Sequence, residues 1–431
     1  MSRTLLFLSI FINCYAFSQN LSLNDTLNLD LQRDLSSLYS NRVQQQIRVF
    51  ESKITNRREL KSVQKAYSNI SSDFQNRIEK GVFYTDETIQ AFTDNILKKI
   101  QESNPDYPEI QNTKVLLSYG TSPNAYAIGN NIIVINTGLL KSITNEYEIA
   151  YIMSHELAHN LLEHSYNHIL DMIEIQNSTD IKKQTREIRK QRYNRGKVAS
   201  DIYKGLVYDK RKNDRKIEHQ ADSLGFILYK NTFSDKAYQA IHSLRTLDSI
   251  DVQNERLSLS DYRNLLDTEK VSFKEGWISN YEVKTYNYDT SQKFWLIDSL
   301  KTHPDCDIRV AFIENNFEVK ESKTEAASPE YKAIKKASSI NHLIGLYTIE
   351  EYGRSLYESL LLYREEPESV ILKHLVALSL DKLYKAQRNY ELNKHMSLPS
   401  PRYSDGYNEF LYAFRQIRNH QLKSIITKYS N

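Results

Sequence analysis

The stretch Tyr147–Leu170, YEIAYIMSHELAHNLLEHSYNHIL, carries Ile149, Met153, Leu157 and Leu161 at spacings that put them on one side of a helix. The pattern predicts one long helix from about Glu146 to Ile169. Within it, His155 and His159 stand four apart, and Glu156 follows the first. A helix repeats every 3.6 residues, so the two imidazoles lie one turn apart on one face. Both can then reach a single ion about 2 Å from a ring nitrogen. Glu156 projects about 100° away, so it does not compete as a ligand. It can instead face a water held by the ion and take its proton. For these five residues alone, the plainer alternative of polar residues on an ordinary helix stays open. A third donor elsewhere decides between them.

A catalytic zinc takes three protein donors and keeps one position open. The long histidine pattern, with Gly three and His six residues beyond the second histidine, fails because Leu162 and Ser165 stand there. The other common arrangement takes a glutamate from a second helix, with an acid four residues later. RKIEHQADSLG, Arg215–Gly225, offers Glu218 and Asp222 at that spacing. Glu218 is expected to face the metal. Asp222 is expected to accept a hydrogen bond from the second ring nitrogen of a ligand histidine and so fix its tautomer. The rival is a solvated helix face. His219, turned about 100° from Glu218, is expected at the surface. His164 and His168 are expected late on the histidine helix, where its negative dipole end suits them without a further role. Cys306 is expected to be a buried or unreactive thiol.

The rest of the chain frames this site. With 431 residues and a formal net charge of +3, it has length for two or three domains and no global field pointing to nucleic acid. Eleven Gly and eight Pro suit a mainly helical protein. Residues 1–18 have a basic start, the apolar run TLLFLSIFINCYAF and a small-x-small end at Ala16–Ser18. That layout predicts a signal peptide, an exported (periplasmic or secreted) protein, and loss of Cys14 on cleavage. No later stretch is apolar enough for a membrane span. Residues 19–84 read as an N-terminal helical segment. KVLLSY (114–119) reads as a strand, and Ala125–Ile128 and Ile132–Ile135 as a hairpin through Gly129-Asn130-Asn131. A basic stretch, 182–216, reads as a solvated helix or loop, with a docking patch as the alternative. Residues 251–291 lack clear periodicity and read as an insertion. Beyond 326, Tyr352, Leu356, Leu360 and Tyr363, then Ile371, Leu375, Leu378 and Tyr384, form two helical stripes separated by Pro367. They fit either one tetratricopeptide-type repeat or a plain helical cap.

In their order, NAYAIGNNIIVINTGLL, HELAH, EHQAD and THPDCDIR resemble metallopeptidase family 48, which includes the CAAX prenyl proteases and the HtpX-like and BepA-like proteases. The likeness spans Thr85–Val310. It implies a mainly α fold with a small β-sheet (α+β), a gluzincin-type domain over 85–325 and a helical region over 326–431. It also implies a zinc endopeptidase with one Zn2+ per chain, held by His155, His159 and Glu218, with Glu156 as catalytic base and Asp222 supporting a ligand. Asn124 and Ala125 would begin the strand edging the cleft. Substrate backbone is expected to add alongside Asn124, Ala125, Tyr126 and Ala127, so unfolded polypeptides are the expected substrates, misfolded envelope proteins among them. In BepA-like members a histidine placed as His303 can fill the fourth metal position; the alternative is that His303 only packs near the site. Arg309 matches the family's arginine and is expected to pair with a buried acid. The C-terminal helices are expected to deliver clients or bind a protein partner. The rival class is a chaperone or adaptor with a latent or structural zinc site. Lacking the membrane helices of some relatives, the chain resembles a soluble, exported branch, which argues against prenylated substrates.

Overall fold

The computed structural model describes residues 28–177, 183, 215–249, 255–279 and 306–430. The predicted signal peptide with Cys14, the basic stretch up to residue 214 apart from Lys183, the ends of the predicted insertion, and His303 lie outside the described residues. The described chain is mainly helical around one four-stranded sheet, the α+β class read from the sequence. Among the described residues no helix is long and apolar enough to cross a membrane.

The sheet comprises β1 (Phe83–Tyr84), β2 (Lys114–Ser118), β3 (Ala125–Gly129) and β4 (Ile132–Asn136), in the order β1-β2-β4-β3. β2 runs parallel to β4, and β3 pairs antiparallel with β4, leaving β3 at an edge. The β3–β4 turn places both Asn130 and Asn131 at positive φ, 53° and 55°, a conformation asparagine tolerates and tight hairpins require. β4 is buried on both sides, which explains its unbroken apolar sequence. One face, with Val115, Leu117, Ile133 and Ile135, packs against helices Glu87–Ser103 and Glu146–Leu161 in the main core. The other face is covered by an N-terminal helix pair, Leu29–Lys53 and Arg57–Glu79, through Leu35, Phe74 and Ile78 against Leu116, Ile132 and Val134. The Arg42 guanidinium of that pair donates to the carbonyls of Asn130 and Asn131 at 2.6 Å, clamping the hairpin turn.

The expected single helix from Glu146 to Ile169 is two helices, Glu146–Leu161 and His164–Asn177. Glu163 lies between them in the left-handed region, φ 52°. Its amide closes back on Asn160 O, and its carbonyl accepts from Asn167 N to start the next helix. Lys53 holds the Glu163 carboxylate at 2.7 Å, tying the break to the N-terminal pair. Periodicity could not reveal this break, because the apolar spacing runs through it.

Glu218 and Asp222 sit on the helix 215–232. A Cβ at Gly225 would lie 2.8 Å from His155 Cα, so this helix presses against the histidine helix where only glycine fits. Helix Cys306–Phe317 packs on helix Tyr238–Ser249 and contributes Cys306, buried as expected, and Arg309 to the main core region.

A second core joins helices Tyr352–Glu365, Val370–Arg388, Asp405–Gln416 and Asn419–Ser430. The predicted break at Pro367 falls between the first two, which pack on each other. The described part of the predicted insertion also belongs here. Leu257, Tyr262, Leu265, Leu266, Val271 and Phe273 are buried in this second core. Arg364 contacts Asp261, and Tyr357 OH donates to Glu255 O. Residues 255–273, part of the segment read as an insertion, thus pack with the C-terminal helices. Short stripes such as Tyr262 to Leu266 gave too little periodicity to place them.

Candidate metal centre

The histidine helix and the helix 215–232 bring their polar residues to one point. His155 Nε2 and His159 Nε2 face each other at 3.0 Å. Glu218 lies 3.5 Å from the first and 3.7 Å from the second. One donor atom from each of the three falls within 4.8 Å of the others, a group able to hold a metal ion. The Glu218 side chain keeps about a third of its surface exposed, 32%, so the group opens to solvent on that side. The donor set fits zinc: two imidazoles and a carboxylate, with the two Nε2 atoms turned towards each other.

Around these donors the structure is tightly paired. Asp222, fully buried, lies 3.0 Å from His155 Nδ1, the nitrogen turned away from the donor point. Arg309 donates from Nε and Nη2 to the two Asp222 oxygens at 2.8 and 2.7 Å, a two-pronged pair. Its Nη1 is 3.3 Å from Glu218. Tyr151 OH donates to Asp222 at 3.0 Å. Arg309 thus bridges the two acids, and the pairing expected for it is with Asp222. The Glu156 carboxylate accepts the Ala127 amide at 2.7 Å, so the edge strand and the histidine helix meet at this residue.

The charges of these groups follow from their contacts. Burial and the Arg309 charge work against a protonated His155, yet hydrogen bonds to Asp222 and Glu218 outweigh them and raise it to about 9. Burial and the neighbouring His155 push His159 down to about 3. Burial raises Glu156 to about 7, against the pull of His155. Burial opposes ionised Asp222, but Arg309 and His155 overcome it and hold the carboxyl well below its ordinary range. Glu218 is likewise held low by His155 and Arg309 against its burial.

The strand residues divide by register. Asn136 N donates to Asn124 O, and Tyr126 stands opposite Val134. In an antiparallel pair, bonding inward and outward alternates. Ala125 and Ala127 therefore turn their amides and carbonyls to the outer edge, where the Ala127 amide meets Glu156. Tyr126 puts its ring on the covered face, beneath the Arg77 guanidinium.

Two residues at this centre had no signal in the sequence: Tyr151 and His164. His164 Nδ1 lies 2.9 Å from His159 Nδ1, on a helix of its own rather than at the end of the histidine helix. His219 is half-buried against Phe312, not at the surface as expected. The Glu-x-x-x-Asp spacing did foretell the Glu218–Asp222 face.

Residues 85–316, more than half of the chain, match the family model of Peptidase family M48. The chain belongs to peptidase family M48. The metallopeptidase class read from the sequence therefore holds, and the M48 match begins at the residue where the resemblance was seen to start. Similar curated proteins include the mitochondrial metalloendopeptidase OMA1 of Bos taurus, 32% identical over 85 residues, which is 18% of this chain and 16% of that protein. The human OMA1 protein is 29% identical over 85 residues, with the same shares. The chain thus matches about a sixth of the length of these relatives.

Proposed function

We propose that this M48 chain is a zinc-dependent endopeptidase that cuts extended, unfolded polypeptide. The observation that carries the proposal is the convergence of His155, His159 and Glu218 within 4.8 Å, with Glu156 next to His155 in the chain and its carboxylate held by the Ala127 amide of the edge strand. His155, His159 and Glu218 would hold one zinc. When bound there, the ion supplies an acidified water and polarises the scissile carbonyl. Glu156, placed by the Ala127 amide, takes the proton of the attacking water and returns it to the leaving amine. Asp222 orients His155, and Arg309 holds Asp222 and Glu218 in their ionised forms.

Substrate backbone adds outside β3 and takes the outward groups of Ala125 and the Ala127 carbonyl. Asn124 and Tyr126 shape the strand from its paired side. Such recognition reads main chain, which favours unfolded clients over a fixed side-chain sequence. The exported protein read from residues 1–18 makes misfolded envelope proteins the natural clients. His303 is the displaceable fourth donor in this proposal, so His303→Ala should cleave faster than the parent chain.

The test is digestion of unfolded casein by the wild-type protein, with and without a chelator, beside Glu156→Gln. Cleavage should be abolished by the chelator, be restored by zinc, and fall about 100-fold or more in Glu156→Gln. Cleavage that survives in Glu156→Gln would overturn the assignment of the base.

A further inference from the structure

His155 and His159 each use Nε2 towards the donor point, and each needs its Nδ1 settled by something else. For His155 that partner is Asp222, at 3.0 Å. For His159 it is not an acid. His164 Nδ1 lies 2.9 Å away, and no carboxylate contact is seen at that nitrogen among the described residues. Two imidazole nitrogens at this distance need one donor and one acceptor. If His159 carries its proton on Nδ1, its Nε2 is bare. His164 must then accept at Nδ1 and carry its own proton on Nε2. Its side chain is also hydrogen-bonded to Gln220, which stands between Glu218 and Asp222 on the facing helix.

The backbone is arranged to make this contact. On one continuous helix, residues 159 and 164 would lie about 140° apart and could not meet. The left-handed Glu163 ends the histidine helix and starts a new one at His164, turning that ring back onto His159. His164 is buried, 7% exposed, although it opens a helix near the surface.

We infer that His164 is a positioning residue of the metal centre: it accepts the Nδ1–H of His159, fixes that ring's tautomer and direction, and links it through Gln220 to the helix that carries Glu218. The inference rests on the metal site proposed above and deepens it. The two histidine ligands are then supported unequally, His155 by a carboxylate that is itself held by Arg309 and Tyr151, and His159 by a neutral imidazole.

The test measures zinc affinity by chelator competition on the full chain, for wild type, His164→Ala and His164→Asn. An outer hydrogen-bond partner of a ligand histidine is worth about 10–100-fold in metal affinity. His164→Ala should therefore bind zinc about 10–100-fold more weakly, with His164→Asn recovering part of the loss through its amide oxygen. Long-range proton–nitrogen spectra of the zinc-loaded wild type should show His159 protonated on Nδ1 and His164 on Nε2. A simple packing role for His164 would move neither readout in this pattern. Zinc affinity of His164→Ala within twofold of wild type, or His164 protonated on Nδ1, overturns the inference while leaving the ligand set standing. A wild-type chain that binds no zinc overturns both. Should His164→Ala fail to fold, Gln220→Ala replaces it, with a smaller loss of affinity expected and an unchanged affinity counting against the inference.

Discussion

At the scale of single residues, the centre depends on Arg309 more than its distance from the donor point suggests. It is buried, 3% exposed, and it is the cation against both Asp222 and Glu218. Replacing it by an apolar residue leaves the buried Asp222 carboxylate without its cation, and breaking a buried pair costs about 3–5 kcal/mol. Arg309→Met is therefore expected to lower the unfolding free energy measured in urea by that order, while Asp222→Asn should be milder in stability and weaken zinc by about 10–100-fold. Titrating both variants with denaturant and with a competing chelator separates the two effects. Equal losses of affinity and no loss of stability would show that Arg309 acts on the ligands alone.

At the scale of elements, two close approaches fix the centre. Gly225 lets the helix 215–232 reach the histidine helix, since a Cβ there would lie 2.8 Å from His155 Cα and 3.0 Å from His155 N. Backbone on a helix cannot yield as a flexible side chain does, so Gly225→Ala should cost about 1–3 kcal/mol and loosen the Glu218 contact. Thermal unfolding and zinc affinity should fall together in this variant. Arg42 is the second device: Arg42→Ala removes three donors from the carbonyls of Asn112, Asn130 and Asn131 and should destabilise the edge hairpin by about 1–3 kcal/mol. Faster amide exchange at the β3–β4 turn than in the parent chain would register it. Such elements also set the limit of what the sequence reveals. Two short apolar runs joined by Gly129-Asn130-Asn131 marked the hairpin, and the spacings of His155, His159, Glu218 and Asp222 marked the donor face, because these are local patterns. The break at Glu163 was hidden because a left-handed residue leaves no periodic trace when apolar residues continue past it. Tyr151 and His164 were hidden because their partners are set by the crossing of helices. The packing of residues 255–273 was hidden because their core partners lie about a hundred residues further on.

At the scale of the whole molecule, a buried charge cluster joins the catalytic unit to the C-terminal helices. Lys141, on helix Thr137–Ser142 after β4, reaches Glu358 at 2.7 Å. Arg354 donates to the same carboxylate at 2.8 Å, and His342 Nε2 lies 3.0 Å from it. Burial opposes ionised Glu358, but Lys141 and His342 hold its carboxyl well below the ordinary 4.5. Burial holds His342 below its ordinary 6.5. Both groups are thus depressed on folding, so the unfolded chain binds more protons in acid. The stability they give is present above the unfolded values and is lost as the pH falls, first below about 6.5 through His342 and then below about 4.5 through Glu358. Glu358→Gln should therefore be less stable than wild type at pH 7.5, and its deficit should shrink as the pH falls below about 4.5. A deficit of Glu358→Gln that grows on acidification would contradict this sign. The central claim, that His155, His159 and Glu218 together hold the metal, is tested most directly by the metal content of purified wild type, Glu156→Gln and Glu218→Ala after exhaustive dialysis. The account predicts one zinc per chain in the first two and loss of bound zinc in the third. No zinc in the wild type, or a full equivalent retained in Glu218→Ala, would contradict it.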